Sequence, residues 1–304
     1  MSSTPLAGPV STCTKETIGA QASPIGSNLQ RPLRANHPTS ERRPRMPEPI
    51  QAAAAASPTT STAASVTMPA AEKALEVHRR LCLQYGCPLR YFHTIDPMSE
   101  LVASLLSHRT LNRDSGLAFR ALRERFPDWA AVRDAPVGEV QDAIAPCTWP
   151  EQKAPRLQAV LREVSGREEA MVDGVLSLEF LRDWPAPRAR AWLETLPGVG
   201  PKTSAAVLSF STLRARALPV DSHHHRVAAR LGLISEKLAV GPSHQVLEGQ
   251  LPPDWDAQQV YDNHQVLMRH GKDTCTWRAP RCTACPLLDL CPHGQAHRAA
   301  AQAS

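Results

Sequence analysis

Apolar residues recur at helical spacing along most of the chain. Met98, Leu101, Val102 and Leu105 keep that period, as do Leu117, Ala118, Ala121, Leu122 and Phe126. Leu157, Val160, Leu161 and Val164 mark another helix, and Ala189, Trp192, Leu193 and Leu196 fall at i, i+3, i+4 and i+7. Further helices are expected over 72–86, 243–251 and 256–270, with Asp96-Pro97 supplying an N-cap and a proline at the first helical position. Alternation at period two is scarce, and no internal repeat stands out. The pattern predicts an almost entirely helical chain.

Three polar breaks interrupt it. Ser107-His108-Arg109-Thr110-Leu111-Asn112 follows a strongly apolar run, and Cys147-Thr148-Trp149-Pro150-Glu151 puts a tryptophan in a loop. The third is Leu196-Pro197-Gly198-Val199-Gly200-Pro201-Lys202-Thr203. Pro197 stops one helix, Gly198 and Gly200 permit a tight turn, and Pro201 starts the next helix. The result reads as helix, glycine hairpin, helix. Such a hairpin aims backbone N–H groups and a helix dipole outward, which suits a phosphate. Lys202 lies in that first turn, where a cation is disfavoured, so its pKa should fall and its amine become a Schiff-base nucleophile. Asp221, in Val220-Asp221-Ser222-His223, is placed to act on the amine. A phosphate-binding P-loop is excluded because Pro201 stands where that motif needs glycine. A plain DNA-gripping hairpin, with Lys202 as a surface cation, remains open on these residues alone.

The chain has 304 residues and a net charge of +5, enough for one or two domains. Residues 1–71 hold ten prolines and no aromatic residue, and are expected to be disordered. This tail carries six basic against three acidic side chains, so charge elsewhere gives only slight support for nucleic acid. A solvated tail or a non-specific DNA arm is the simpler reading, with organelle targeting left open. With no apolar h-region near the start and no membrane-length apolar run, neither a secretory leader nor a membrane span is expected, and the expected location is cytoplasmic, at the nucleoid of a bacterium-like cell. The run Ser222-His223-His224-His225-Arg226 offers three histidines, but adjacent helical residues diverge by about 100° and cannot easily share an ion. They read as polar and DNA-facing.

Of eight cysteines, Cys13, Cys82, Cys87 and Cys147 are scattered and expected to be free. Cys275, Cys282, Cys285 and Cys291 form a C-x6-C-x2-C-x5-C cluster. Four thiolates so spaced can close around one centre. The single C-x2-C pair favours an iron–sulfur cube over zinc, and a disulfide is the other reading. Arg278 and Arg281 fall in the first loop of the cluster, which can present them to phosphate.

The hairpin, the Val-Asp-Ser-His segment and the cysteine spacing together resemble the endonuclease III family over about residues 72–292. The resemblance implies an all-α fold of two helical domains with a DNA-binding cleft between them. Residues 98–215 would form a six-helix barrel carrying the hairpin. Residues 72–97 with 216–298 would form a domain holding a [4Fe–4S] cluster on Cys275, Cys282, Cys285 and Cys291. It implies a bifunctional DNA glycosylase and abasic-site lyase, with Lys202 as nucleophile and Asp221 as catalytic carboxylate. Double-stranded DNA with damaged, oxidised-pyrimidine bases or abasic sites would be the partner, bound by a monomer. Gly198, Val199, Gly200, Arg109, Trp149, His223, Arg278 and Arg281 would meet the DNA. The chain departs from the family at Arg109, where Gln is common, at Trp149, where Leu is usual, and at Asn112, where an acid is typical. Those changes bear on the lesion and the opposite base. The alternatives are a monofunctional mismatch glycosylase, against which Lys202 argues, and a non-catalytic DNA-binding module, against which Lys202 and Asp221 together argue. The thirteen residues after Cys291 are expected to be too few for an added recognition domain.

Overall fold

The computed structural model describes residues 68–303. The expected disordered tail lies outside the described residues as far as 67. Ala70 and Ala71 belong instead to the first helix, which therefore begins two residues before the expected boundary.

Twelve α-helices account for most of the described residues, as the apolar spacing predicts. They are α1 (Ala70–Tyr85), α2 (Pro97–Ser107), α3 (Asn112–Arg125), α4 (Trp129–Asp134), α5 (Val137–Ala143) and α6 (Pro150–Ser165). After them come α7 (Ala186–Leu193), α8 (Pro201–Phe210), α9 (Ser222–Arg230), α10 (Val240–Glu248), α11 (Ala257–Asp273) and α12 (Pro292–Ala303). Local chemistry sets several ends. Gly86 closes α1 in the left-handed conformation at φ 78°. Asp96 caps α2 through the Ser99 N–H, with Pro97 at the first position. Asp256 and Gln259 form a reciprocal capping box at α11.

Two hydrophobic cores organise these helices. One gathers apolar residues from Met98 to Ala217, on α2 to α8 and the segments between and just after them. The other joins Val77 and Leu81 of α1 to Val227, Leu247, Tyr261 and Leu287. Helix α8 serves both. Ala205, Val207 and Leu208 pack into the first core, and Ala206 and Phe210 into the second. That double duty explains why every residue from Thr203 to Phe210 is buried.

Three features differ from the sequence expectation. Cys82 and Cys87 are joined as a disulfide rather than free, because Gly86 turns the chain end of α1 back on itself. Short helices α4 and α5, and the polar helix α12, are not legible in the apolar pattern. A two-residue hairpin, β1 (Met171–Val172) and β2 (Val175–Leu176), closes through Asp173 and Gly174, both at positive φ.

Candidate active site

The glycine turn forms as its sequence requires. The Leu196 N–H bonds the Leu193 carbonyl as α7 ends, and the Val199 N–H bonds the Leu196 carbonyl. Gly198 sits at φ +79°, and a β-carbon there would meet Arg156 Cδ at 3.2 Å. Gly200 precedes α8, Pro201 takes its first position, and no side chain caps it. The turn thus leaves an anion-ready helix end. Val199 is 6% exposed and packs in the first core, so it offers the turn's exterior little beyond its backbone.

Lys202 lies in the first turn of α8. Burial lowers its pKa, while the charges of Asp221 and Glu100 oppose that fall. The sequence pointed to the helix end as the cause; the leading cause in the fold is desolvation. The sequence pattern does not single out Glu100. It is 4% exposed on α2, its Oε1 accepts from the Ser104 hydroxyl at 2.9 Å, and its Oε2 lies 2.9 Å from His93 Nε2. A buried carboxylate inside an otherwise apolar helix was the available signal.

Asp221 is the N-cap of α9, its Oδ1 accepting from the His224 N–H at 2.8 Å. The preceding Val220 N–H donates to His244 Nε2 at 3.0 Å, which fixes the approach of the chain. Burial alone would raise the Asp221 pKa. His264 and the His224 N–H outweigh it, and the carboxyl titrates below its ordinary value. Lys202 and Asp221 therefore begin two successive helices and interact electrostatically.

The three adjacent histidines do not share one role. His224 is 1% exposed, with Nδ1 3.4 Å from Nδ1 of His264. His225 Nε2 lies 2.7 Å from the Leu238 carbonyl. His223 and His225 are both half-buried, and His223 lies beside Arg226 and packs closely over Gly271. The expectation that all three face outward is corrected: the helix turn sends His224 into the protein.

Arg109 and Trp149 are both exposed, and both have left-handed backbones, at φ 52° and 54°. Their loops touch where the Thr148 N–H donates to Thr110 Oγ1 at 3.2 Å. His108 Nε2 is 3.0 Å from the hydroxyl of Thr203, the neighbour of Lys202.

Cys275, Cys282, Cys285 and Cys291 line one hollow, open to solvent, beside Arg230 and His270. Arg230 Nη1 donates to Cys275 Sγ at 3.3 Å, and the Gly294 N–H to Cys291 Sγ at 3.3 Å. Burial pushes the thiols of Cys282 and Cys291 up and that of Cys285 to about 11. Among the described residues, no group of three or more His, Cys, Asp or Glu side chains is drawn together as for a single metal ion. Arg278 and Arg281 are exposed on the cysteine loop, and Arg281 is partly committed to the Asp273 carbonyl. Trp277 is 72% exposed beside Arg278, although nothing in its spacing separates it from a packed tryptophan.

No protein-family model matches the chain. Endonuclease III of Synechocystis is 28% identical over 200 residues, covering 66% of this chain and 83% of that one. The Arabidopsis thaliana protein named DNA glycosylase/AP lyase ROS1 is 31% identical over 179 residues, covering 55% of this chain and 12% of that much longer one. A solved structure described as a trapped endonuclease III–DNA covalent intermediate superposes with a TM-score of 0.62 at 22% identity, over 76% of this chain and all of that one. At that identity the likeness is one of fold.

Proposed function

We infer, from this chain's relationship to the endonuclease III family, that it is a DNA glycosylase and abasic-site lyase of base excision repair. The observation that carries the reading is the environment of Lys202. Its amine is favoured in the neutral form by burial, opposite a carboxylate, at the open end of a helix suited to phosphate.

The chemistry follows from those groups. A damaged nucleotide leaves the stack at a cost of a few kcal/mol and enters beside Lys202. The neutral amine attacks the sugar C1′, and the base departs with the electrons of the glycosidic bond and takes up a proton. The amine loses its own proton and the sugar ring opens, leaving an imine. The imine acidifies C2′; loss of that proton expels the 3′ phosphate, so the strand breaks by β-elimination. Asp221 offsets positive charge on the sugar and accepts or returns protons near the amine. Oxidised pyrimidines are the proposed lesions. Arg109 would occupy the gap left by the flipped nucleotide or read an opposing guanine, and Trp149 would stack beside it. His223, Gly198, Gly200, Arg278 and Arg281 would contact the backbone.

The cysteine hollow fits a [4Fe–4S] cluster better than one ion. Its four thiols surround space rather than converge on a point, and N–H groups of Arg230 and Gly294 already face two of the sulfurs. Such a group would tie the loop carrying Trp277 and Arg278 to α9 and α12.

The test is strand nicking of a duplex with one abasic site. Lys202→Ala should lose activity by about a thousandfold or more, with the wild-type product bearing the β-elimination end. Nicking by Lys202→Ala at the wild-type rate would overturn the reading.

A further inference from the structure

Arg109 and Trp149 share a support that neither loop's sequence announces. Lys153 is the fourth residue of α6. Its Nζ donates to the carbonyls of Leu106 and His108, both at 2.7 Å, and to Thr110 Oγ1 at 2.6 Å. Those three acceptors bracket Arg109 in the chain, and they use all three donors of the ammonium. The backbone N–H of the same residue donates to the Trp149 carbonyl at 3.0 Å. Thr110 Oγ1, held by Lys153, in turn accepts from Thr148.

We propose that Lys153 is the positioning residue that sets Arg109 and Trp149 as a single two-pronged element for entry into the duplex. The proposal rests on the reading that these two side chains enter DNA, and deepens it. Three observations support it. Left-handed backbone at two non-glycine residues is disfavoured and persists only where neighbours enforce it. The Lys153 side chain holds the Arg109 segment directly and reaches the Trp149 segment through Thr110 Oγ1, which accepts from the Thr148 N–H. Its charge is met by neutral oxygens, with no carboxylate partner among the described residues. A charged group held that way is an expensive means of merely closing α2, for which a neutral side chain would serve. The other side of the Arg109 loop is tied through His108 to Thr203, so the element is also registered against the helix that carries Lys202.

Two reactions separate positioning from general stability. Excision of a damaged pyrimidine from a duplex needs the prongs; borohydride trapping on a single-stranded abasic oligonucleotide does not. In Lys153→Met the ratio of the first rate to the second should fall about tenfold or more, as loss of charge-assisted hydrogen bonds implies. Thr110→Val, a milder change, should lower it about threefold. Fluorescence of 2-aminopurine beside the lesion should report reduced extrusion in both. In an Arg109→Ala/Trp149→Ala background, Lys153→Met should add less than about twofold, because the three act as one unit. Equal loss in both reactions, or a full Lys153→Met effect in that background, would overturn the proposal. An unchanged ratio in Lys153→Met would overturn the proposal alone if Arg109→Ala/Trp149→Ala lowers it. An unmoved ratio in Arg109→Ala/Trp149→Ala would overturn both the proposal and the duplex-entry reading beneath it.

Discussion

Asp221 caps α9 through the His224 N–H at 2.8 Å while its charge opposes the loss of a proton from Lys202 at the start of α8. One carboxylate thus has a structural and a chemical duty, and the two can be separated. Asparagine keeps an acceptor at the cap and loses the charge. Asp221→Asn should therefore unfold in urea within about 0.5 kcal/mol of wild type, whereas Asp221→Ala should lose about 1 kcal/mol. Both should lower single-turnover base excision by about a hundredfold or more.

Lys202 predicts its own pH profile. Its pKa lies below the ordinary lysine value because of burial. Imine formation on an abasic site should rise with pH and level off below the pH at which an ordinary lysine would. The stability sign follows. The unfolded chain binds the proton more tightly, so the penalty is full below the folded pKa and disappears as pH rises toward the unfolded value. Lys202→Met should accordingly raise the melting temperature at neutral pH, and a lowered one would count against burial as the cause.

The buried histidines set the acid limit. Burial holds His224 at about 3 and His264 at about 4, against 6.5 when unfolded. The unfolded state binds more protons between those values and 6.5, so stability falls as pH drops through that window. Each histidine can contribute a slope approaching ~1.4 kcal/mol per pH unit, measurable as urea midpoints between pH 7 and 4.5. His264→Gln should flatten the slope.

The two turn glycines should behave differently. Gly198 is at positive φ with Arg156 close to its missing β-carbon, while Gly200 has extended backbone and open space. Gly198→Ala should cost about 1–2 kcal/mol in urea unfolding. Gly200→Ala should stay within about 0.5 kcal/mol, so any loss of DNA affinity there reports the binding surface itself.

Helices and the glycine turn were legible because one residue's chemistry decides them: Pro97, Gly198 and Pro201 act locally, and the apolar period of α2 or α6 repeats often enough to read. The four clustered cysteines were legible by spacing. What depends on residues distant in sequence was not. Glu100 meets Lys202 only because α2 packs on α8, and His264 meets His224 only because α11 packs on α9. Lys153 looked like any polar position on α6, since its acceptors lie more than forty residues away. Nearer in sequence, the pairing of Cys82 with Cys87 is hidden for a different reason: it depends on the left-handed turn at Gly86.

Lys202 is proposed to form a covalent imine with an abasic sugar. The most direct measurement is borohydride reduction of the protein mixed with a duplex carrying one abasic site, followed by mass mapping of the adduct. A stable protein–DNA conjugate is expected, with the sugar on the Lys202 peptide, and it should be absent in Lys202→Ala. A conjugate on another residue, or no conjugate from protein that binds the duplex, would contradict it.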